Sequence, residues 1–339
     1  MAPEANPIDG FTVSARDLSY VGDGLQRPEC ILAERDGSLW TADARGGVVH
    51  IRPDQTQQLI TQQVAEGFAN SADGASRFVS GTLPNGLAFA RNGDILIANF
   101  GTDRLEIMSR SGETRVLIDK IDGKPIGKVN FVLRDSKDRV WLTISTRIKD
   151  WMRAISPVVA DGYVAVYDGD SLRIVADGFK FTNEIRFDAN EEWLYVVETC
   201  GPCITRLRIA EDGSATARET FGPKDHGALI DGIAFDSYGN LWGTHIFSDR
   251  VFAITPEGDL RIILDDDHDS SAGQALMGAF AQDAVTPELI MATGGTTGPW
   301  LTSVTFGAPD LKSVYVGNLK GTRIGYFRAP VAGLPMVHW

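Results

Sequence analysis

"DGIAFDSYGNLWGTH", residues 231–245, holds two short apolar runs on either side of a polar turn. Apolar and polar residues alternate along the runs, and the turn is made of Asp, Ser, Gly and Asn. That combination argues for a β-hairpin and against a helix. The pattern recurs as "ECILAERDGSLWTAD" (29–43), "NGLAFARNGDILIAN" (85–99), "NFVLRDSKDRVWLTI" (130–144), "NEIRFDANEEWLYVVE" (183–198) and "TSVTFGAPDLKSVYVG" (302–317). A Gly-, Ser- or Asp-rich turn and a third strand follow each hairpin: "GGVVHIRP", "DRLEIMS", "GYVAVYDG", "CITRLRIA", "DRVFAITP" and "TRIGYFRA". "QQLIT", "TRVLID", "LRIVADG" and "LRIILDD" supply fourth strands for several units.

The unit returns about every 45 to 75 residues, with three or four strands each time, as radial β-architectures do. A parallel β-helix has shorter rungs, and a sandwich has no reason to repeat one hairpin six times. The sequence therefore predicts an all-β, six-bladed β-propeller. It forms one domain over 1–339, with a short N-terminal extension over 1–10. "FTVSARDLSY" (11–20) is expected to close the ring against the last blade.

Composition sets limits on function. The chain has 339 residues, 43% hydrophobic and 23% charged, with a net charge of −13. It has no Lys/Arg cluster, so nucleic acid and anionic membranes are not expected partners. No apolar run approaches the roughly 20 residues of a membrane helix. "MAPEANPIDG" has neither a basic segment nor an apolar stretch, so no secretory signal is expected and a cytoplasmic location is. The expected partner is a small-molecule substrate, and the expected state a monomer or small homo-oligomer.

The repeat then selects residues. Eleven positions before Trp40, Leu96, Trp141 and Trp242 stand Glu29, Asn85, Asn130 and Asp231. With a one-residue slip the fourth unit gives Asn183, and the looser sixth gives Thr302. In a propeller these positions converge on one mouth of the central channel. They bring two carboxylates and several amide oxygens, and no thiolate or imidazole. Hard oxygen donors with two negative charges suit a divalent cation in the channel, Ca²⁺ first, then Mg²⁺ or Mn²⁺.

These segments, in this order and spacing, resemble the SMP-30/gluconolactonase/LRE-like proteins, relatives of diisopropyl fluorophosphatase and more distantly of the paraoxonases. The tail "APVAGLPMVHW" is similar to the family's ending. The resemblance implies a catalytic divalent metal in the channel, with Zn²⁺ and Fe²⁺ as further alternatives. Glu29, Asn130, Asn183 and Asp231 match the family's ligands, and Asp231 its general base or, in phosphotriesterase relatives, its nucleophile. The neighbours differ: Cys30, Phe131-Val132 and Glu184 stand where the family has glycine or Asp-Gly. The implied activity is hydrolysis of a lactone, with the metal polarising the carbonyl and an activated water attacking it. Phosphotriester hydrolysis, an isomerase- or lyase-like step and simple binding on the same scaffold are the alternatives.

Pocket walls are expected from loops on the same face: "ANFGTD" (98–103) with Asn99 and Phe100, "THIFSD" (244–249) with His245, and "STRIKDWMRAISPVVADG" (145–162) with Arg147, Trp151 and Met152. Two longer insertions, 62–84 and 265–302, precede the second and sixth blades, and the latter carries Trp300. Asn85, Asn99, Arg147, His245, Trp300 and Thr302 are the candidate substrate contacts. "LDDDHDSS" (264–271) lacks EF-hand spacing and reads as a solvated acidic loop. Cys200-Gly201-Pro202-Cys203 imitates a redox motif, but "CITRLRIA" after it reads as a strand. A thioredoxin-type pair needs a helix there, so a hairpin turn with two reduced thiols is expected.

Overall fold

The computed structural model describes residues 5–63 and 81–339. The six hairpins become the inner halves of six antiparallel four-stranded sheets. Blade five runs Ile230–Phe235, Leu241–His245, Arg250–Ile254 and Leu260–Asp265 from the axis outward. Blades one to four follow the same order, with innermost strands Ile31–Ala33, Pro84–Phe89, Val129–Arg134 and Thr182–Phe187. The innermost strand of each blade touches that of the next, and that of blade six (Leu301–Gly307) touches that of blade one. Blade six is completed by Ser19–Val21, which pairs antiparallel with Ile324–Arg328. The ring is thus a six-bladed propeller closed by an N-terminal strand, at the end of the segment expected to close it.

The repeated tryptophan has a physical reason. Trp40, Trp141 and Trp242 are almost wholly buried on the second strands. Each indole needs an acceptor there, and an acidic residue six positions earlier, at the hairpin turn, supplies it. Trp40 Nε1 donates to Glu34 at 2.6 Å, Trp141 to Asp135 at 2.8 Å and Trp242 to Asp236 at 2.8 Å. Asp236 also accepts the backbone N–H groups of Tyr238, Gly239 and Asn240, so one carboxylate fixes both the turn and the indole above it.

The C-terminal segment crosses the mouth where the innermost strands end. Leu334 N–H donates to Phe235 O at 2.9 Å, and His338 Nε2 lies 2.9 Å from Ala33 O. The insertion before blade six is not loop throughout. It forms helices Ser271–Ala281 and Pro287–Met291, capped by Ser270 and Thr286, with Leu276, Phe280 and Ile290 buried at the opposite mouth. Its acidic run is not merely solvated, as the sequence suggested. Asp266 accepts Thr296 N–H and Thr297 N–H, each at 2.8 Å, and Asp267 accepts Gly294 N–H at 3.3 Å. The run holds the glycine-rich loop that leads to Trp300. Most of the insertion expected before blade two lies outside the described residues. Among the described residues, no helix is long and apolar enough to cross a membrane.

Replacing Asp236 with Ala strands the Trp242 indole and the turn amides without acceptors. Urea unfolding should show a loss on the order of 3 kcal/mol, since bonds to charged acceptors are each worth about 1.5–3 kcal/mol.

Candidate active site

At the start of each innermost strand in blades two to six the register with the second strand shifts. The shifts fall between Pro84 and Leu87, Val129 and Phe131, Thr182 and Ile185, Ile230 and Ile233, and Leu301 and Val304. The first residues inside them are Asn85, Asn130, Asn183, Asp231 and Thr302. A bulge of this kind re-aims a side chain, and here it brings Asn85, Asn130, Asn183 and Asp231 to a common pocket at the channel mouth. Backbone N–H groups near the shifts find side-chain acceptors instead of the ladder. Phe131 N–H donates to Thr143 Oγ1 at 3.0 Å and Gly232 N–H to Thr244 Oγ1 at 3.1 Å. Leu87 N–H donates to Cys30 Sγ at 3.3 Å, and Ile233 N–H to Glu184 at 3.1 Å.

The floor of the pocket is Arg27, Glu29, Asn85, Asn130, Asn183 and Asp231, with Thr199 beside them. Glu29, Asn183 and Asp231 are no more than 5% exposed. Asn85 is locked: its Oδ1 accepts from Arg27 Nη2 at 2.8 Å, and its Nδ2 donates to Glu29 Oε1 at 2.9 Å and to Asn130 O at 3.0 Å. Asn183 Nδ2 donates to Thr199 Oγ1 at 3.1 Å, which leaves its oxygen as the free acceptor. The result is a set of buried oxygens without partners: Glu29 Oε2, Asn183 Oδ1 and Asp231 Oδ1.

Burial drives the electrostatics. It raises Glu29 well above the usual carboxylate range, with the charge of Asp231 adding to the effect and Arg27 opposing it. It lifts Asp231 to about 8, helped by Glu184 and opposed by Arg27 and Asn183. Two carboxylates and an amide oxygen, desolvated and unpaired, form a hard-donor set that fits a divalent cation. Beneath them Glu184 pairs with Arg186 at 3.1 Å, and the Arg186 guanidinium lies 4.6 Å from the centre of the Phe131 ring. A Cβ on Gly86 would stand 2.6 Å from Phe131 Cα, and one on Gly232 would stand 3.1 Å from Glu184 Oε1. Bulk at Phe131 and Glu184 is therefore matched by glycine in neighbouring blades.

Of the other sequence candidates, Trp300 lines the pocket. Asn99 is fully buried in the second-blade turn, bonded to Leu83 N–H, Thr82 and Glu106. Thr302 donates to Glu29 O at 2.9 Å and so fixes the main chain that presents Glu29. Arg147 is exposed, with its guanidinium 4.5 Å from the centre of the Tyr163 ring. His245 is buried against His226, Nε2 to Nδ1 at 3.1 Å, outside the pocket lining. Arg27, Phe181 and Phe247 line the pocket and were not singled out from sequence. Each has a left-handed backbone, as Trp300 does, with φ of 55°, 58°, 68° and 64° respectively. A non-glycine residue seldom adopts that conformation, and such outliers cluster at functional sites.

Cys200 and Cys203 are both free thiols, at the turn between strands Trp193–Glu198 and Cys203–Ile209. Burial pushes them up to about 12 and about 11, the opposite of what redox chemistry needs. A larger cleft lies under the C-terminal segment at the far mouth, lined by Leu133, Arg186 and Met336 among others. None of the unpartnered carboxylate oxygens of the Glu29–Asp231 set opens into it.

Comparison with known proteins agrees with this fold. The family model described as SMP-30/Gluconolactonase/LRE-like region matches residues 27–265. A 6-deoxy-6-sulfogluconolactonase of Pseudomonas putida is 24% identical over 153 residues, covering 44% of this chain and 42% of that protein. The chain thus spans under half the length of that curated relative. Among solved structures, a gluconolactonase from Xanthomonas campestris superposes with a TM-score of 0.65 at 18% identity, covering 93% of this chain and 89% of that one. A calcium-binding regucalcin from Agrobacterium tumefaciens gives 0.66 at 13% identity, covering 95% and 97%. At these identities the structures bear on the fold.

The buried acid yields a stability test. The folded-state pKa of Asp231, about 8, lies above its ordinary 3.8. Its protonated form therefore suits the fold, and stability is lost as pH rises from about 4 toward 8. Asp231→Asn carries no such burden. In chelator-treated protein the variant should gain on wild type as pH rises from 5 to 8, by at least about 1 kcal/mol in urea unfolding. A difference that does not change with pH would contradict the burial argument.

Proposed function

The chain belongs to the SMP-30/gluconolactonase/LRE-like family, and from that premise we propose that it is a metal-dependent hydrolase that opens a lactone. The observation that carries this is the trio of unpartnered buried oxygens on Glu29, Asn183 and Asp231. A propeller that only binds its ligand has no use for two desolvated carboxylates in its channel. The gluconolactonase and sulfogluconolactonase names among the relatives support ester-ring opening, and the calcium-binding regucalcin supports Ca²⁺. Glu29, Asn130, Asn183 and Asp231 would hold a divalent cation, which would supply a Lewis acid for the ester carbonyl and offset the carboxylate charge.

The remaining work falls to the chain. Asp231 takes the proton from the attacking water as the new C–O bond forms at the acyl carbon. As the ring C–O bond breaks, the same carboxyl returns the proton to the departing alkoxide, which leaves a hydroxy acid. Asn85, clamped between Arg27 and Glu29, holds Oε1 of Glu29 so that Oε2 faces the pocket. Arg27 adds a fixed positive charge beside both carboxylates, and the aromatic rim above keeps bulk water out.

Asp231→Asn and Glu29→Gln separate the roles. Each keeps an oxygen and removes a charge, but only the first removes the base. In a Ca²⁺ titration of lactone turnover, Glu29→Gln should recover at least in part with excess metal. Asp231→Asn should stay roughly 10²-fold or more below wild type at saturation. Equal rescue of both would remove Asp231 as base. The Cys200→Ser, Cys203→Ser double variant should keep turnover within a few fold, and loss of activity at unchanged thermal stability would return those thiols to the chemistry.

A further inference from the structure

The substrate class can be read from the wall of the pocket. The pocket encloses about 530 Å³, a figure that includes open solvent at its mouth. Its polar groups are confined to the floor. Above them stand Phe100, Trp151, Phe181, Ile246, Phe247 and Trp300. The rings are fixed by one another. Phe100 and Trp151 meet edge to face with centroids 5.7 Å apart, and Phe247 and Trp300 do so at 4.9 Å. Phe181, Phe247 and Trp300 hold left-handed backbones, an unfavourable state for bulky side chains, in order to stand there.

Most of the polar groups bordering this wall are already engaged, with Arg27 Nε left without a partner. Trp300 Nε1 is turned to Thr293, whose carbonyl and hydroxyl lie at 3.1 and 3.0 Å. The Thr199 hydroxyl accepts from Asn183, and Arg27 donates to Asn85 and to Pro84 O. A polyhydroxylated ring needs several side-chain partners for its hydroxyls. Each hydroxyl buried without one costs roughly tenfold in binding. This wall instead favours carbon.

Building on the lactonase reading, we propose that the substrate is a lactone bearing a bulky apolar substituent, aryl or long alkyl, and not a sugar lactone. The apolar part packs between the Phe100–Trp151–Phe181 side and the Phe247–Trp300 side, and the ester lies on the polar floor.

The test is a series of δ-lactones with unbranched alkyl tails, from δ-valerolactone to δ-decalactone, together with dihydrocoumarin and glucono-1,5-lactone, in Ca²⁺-replete protein. Alongside it runs the matching series of non-hydrolysable δ-lactams, followed by quenching of tryptophan fluorescence. Over the first few methylenes, kcat/KM and lactam affinity should each rise roughly fourfold per added carbon, as burial of about 0.8 kcal/mol per CH₂ requires. Trp151→Ala should flatten both slopes, and Trp151→Phe should preserve them. A flat or falling dependence on tail length, or preference for the gluconolactone over the alkyl lactones, overturns the proposal. Hydrolysis of no lactone, with the lactam slope intact, overturns the lactonase reading and leaves the apolar site standing. Absence of both overturns the substrate class as well.

Discussion

Two carboxylates, Glu29 and Asp231, are buried in one small pocket, and each has an oxygen that no donor reaches. Burial penalises that state, and most of the surrounding structure bears on it. A bulge turns Asp231 inward. Asn85, pinned by Arg27, occupies one oxygen of Glu29 and frees the other. Thr302 and Ser303 both donate to Glu29 O, at 2.9 and 2.7 Å, so blade six steadies the main chain of blade one where the ring closes. A carboxylate held this firmly cannot swing out into water to relieve its burial.

The fold and the centre of the site were legible in the sequence for one reason: both obey the repeat. The indole and its acidic partner recur in blades one, three and five because each meets the same packing problem, and Leu96 holds the equivalent place in blade two. Counting back eleven positions therefore reaches the same point at the entry to each of those blades, and a one-residue slip reaches it in blade four. That count found Glu29, Asn85, Asn130, Asn183 and Asp231. The count stopped short of Arg27 and Phe181, although each, like Trp300, stands two positions before a counted residue (Glu29, Asn183 and Thr302) with the same left-handed backbone, and it did not reach Phe247, in the turn after Leu241–His245. Loop membership was a weaker guide. "ANFGTD" sends Phe100 into the pocket and Asn99 into its own turn, and "THIFSD" sends Phe247 in while His245 packs against His226. Neighbouring residues face different ways, and a sequence does not say which. The helices before blade six were missed because their apolar positions are spread among small and polar residues.

The departures from the family's motifs also have a physical account. Cys30 and Glu184 accept backbone N–H groups close to the bulges, and Phe131 fills space that Gly86 leaves open. The Glu184–Arg186 pair, stacked on Phe131, closes the channel below the carboxylates. The substituted positions therefore pack together beneath the carboxylates.

The three-residue strand Ser19–Val21 has a consequence for how the molecule is made. It precedes all six hairpins in the chain, yet its partner is the strand Ile324–Arg328. As synthesis proceeds, five blades can form from local hairpins, each with neighbours close in sequence, before this strand has anything to pair with. The ring then closes by pairing segments near opposite ends of the chain, a long-range contact of the kind that forms slowly. Until it does, the third strand of blade six presents a bare edge, and bare edges recruit other chains. Yield on refolding should therefore depend on protein concentration far more than the finished ring does, because the finished ring has covered that edge.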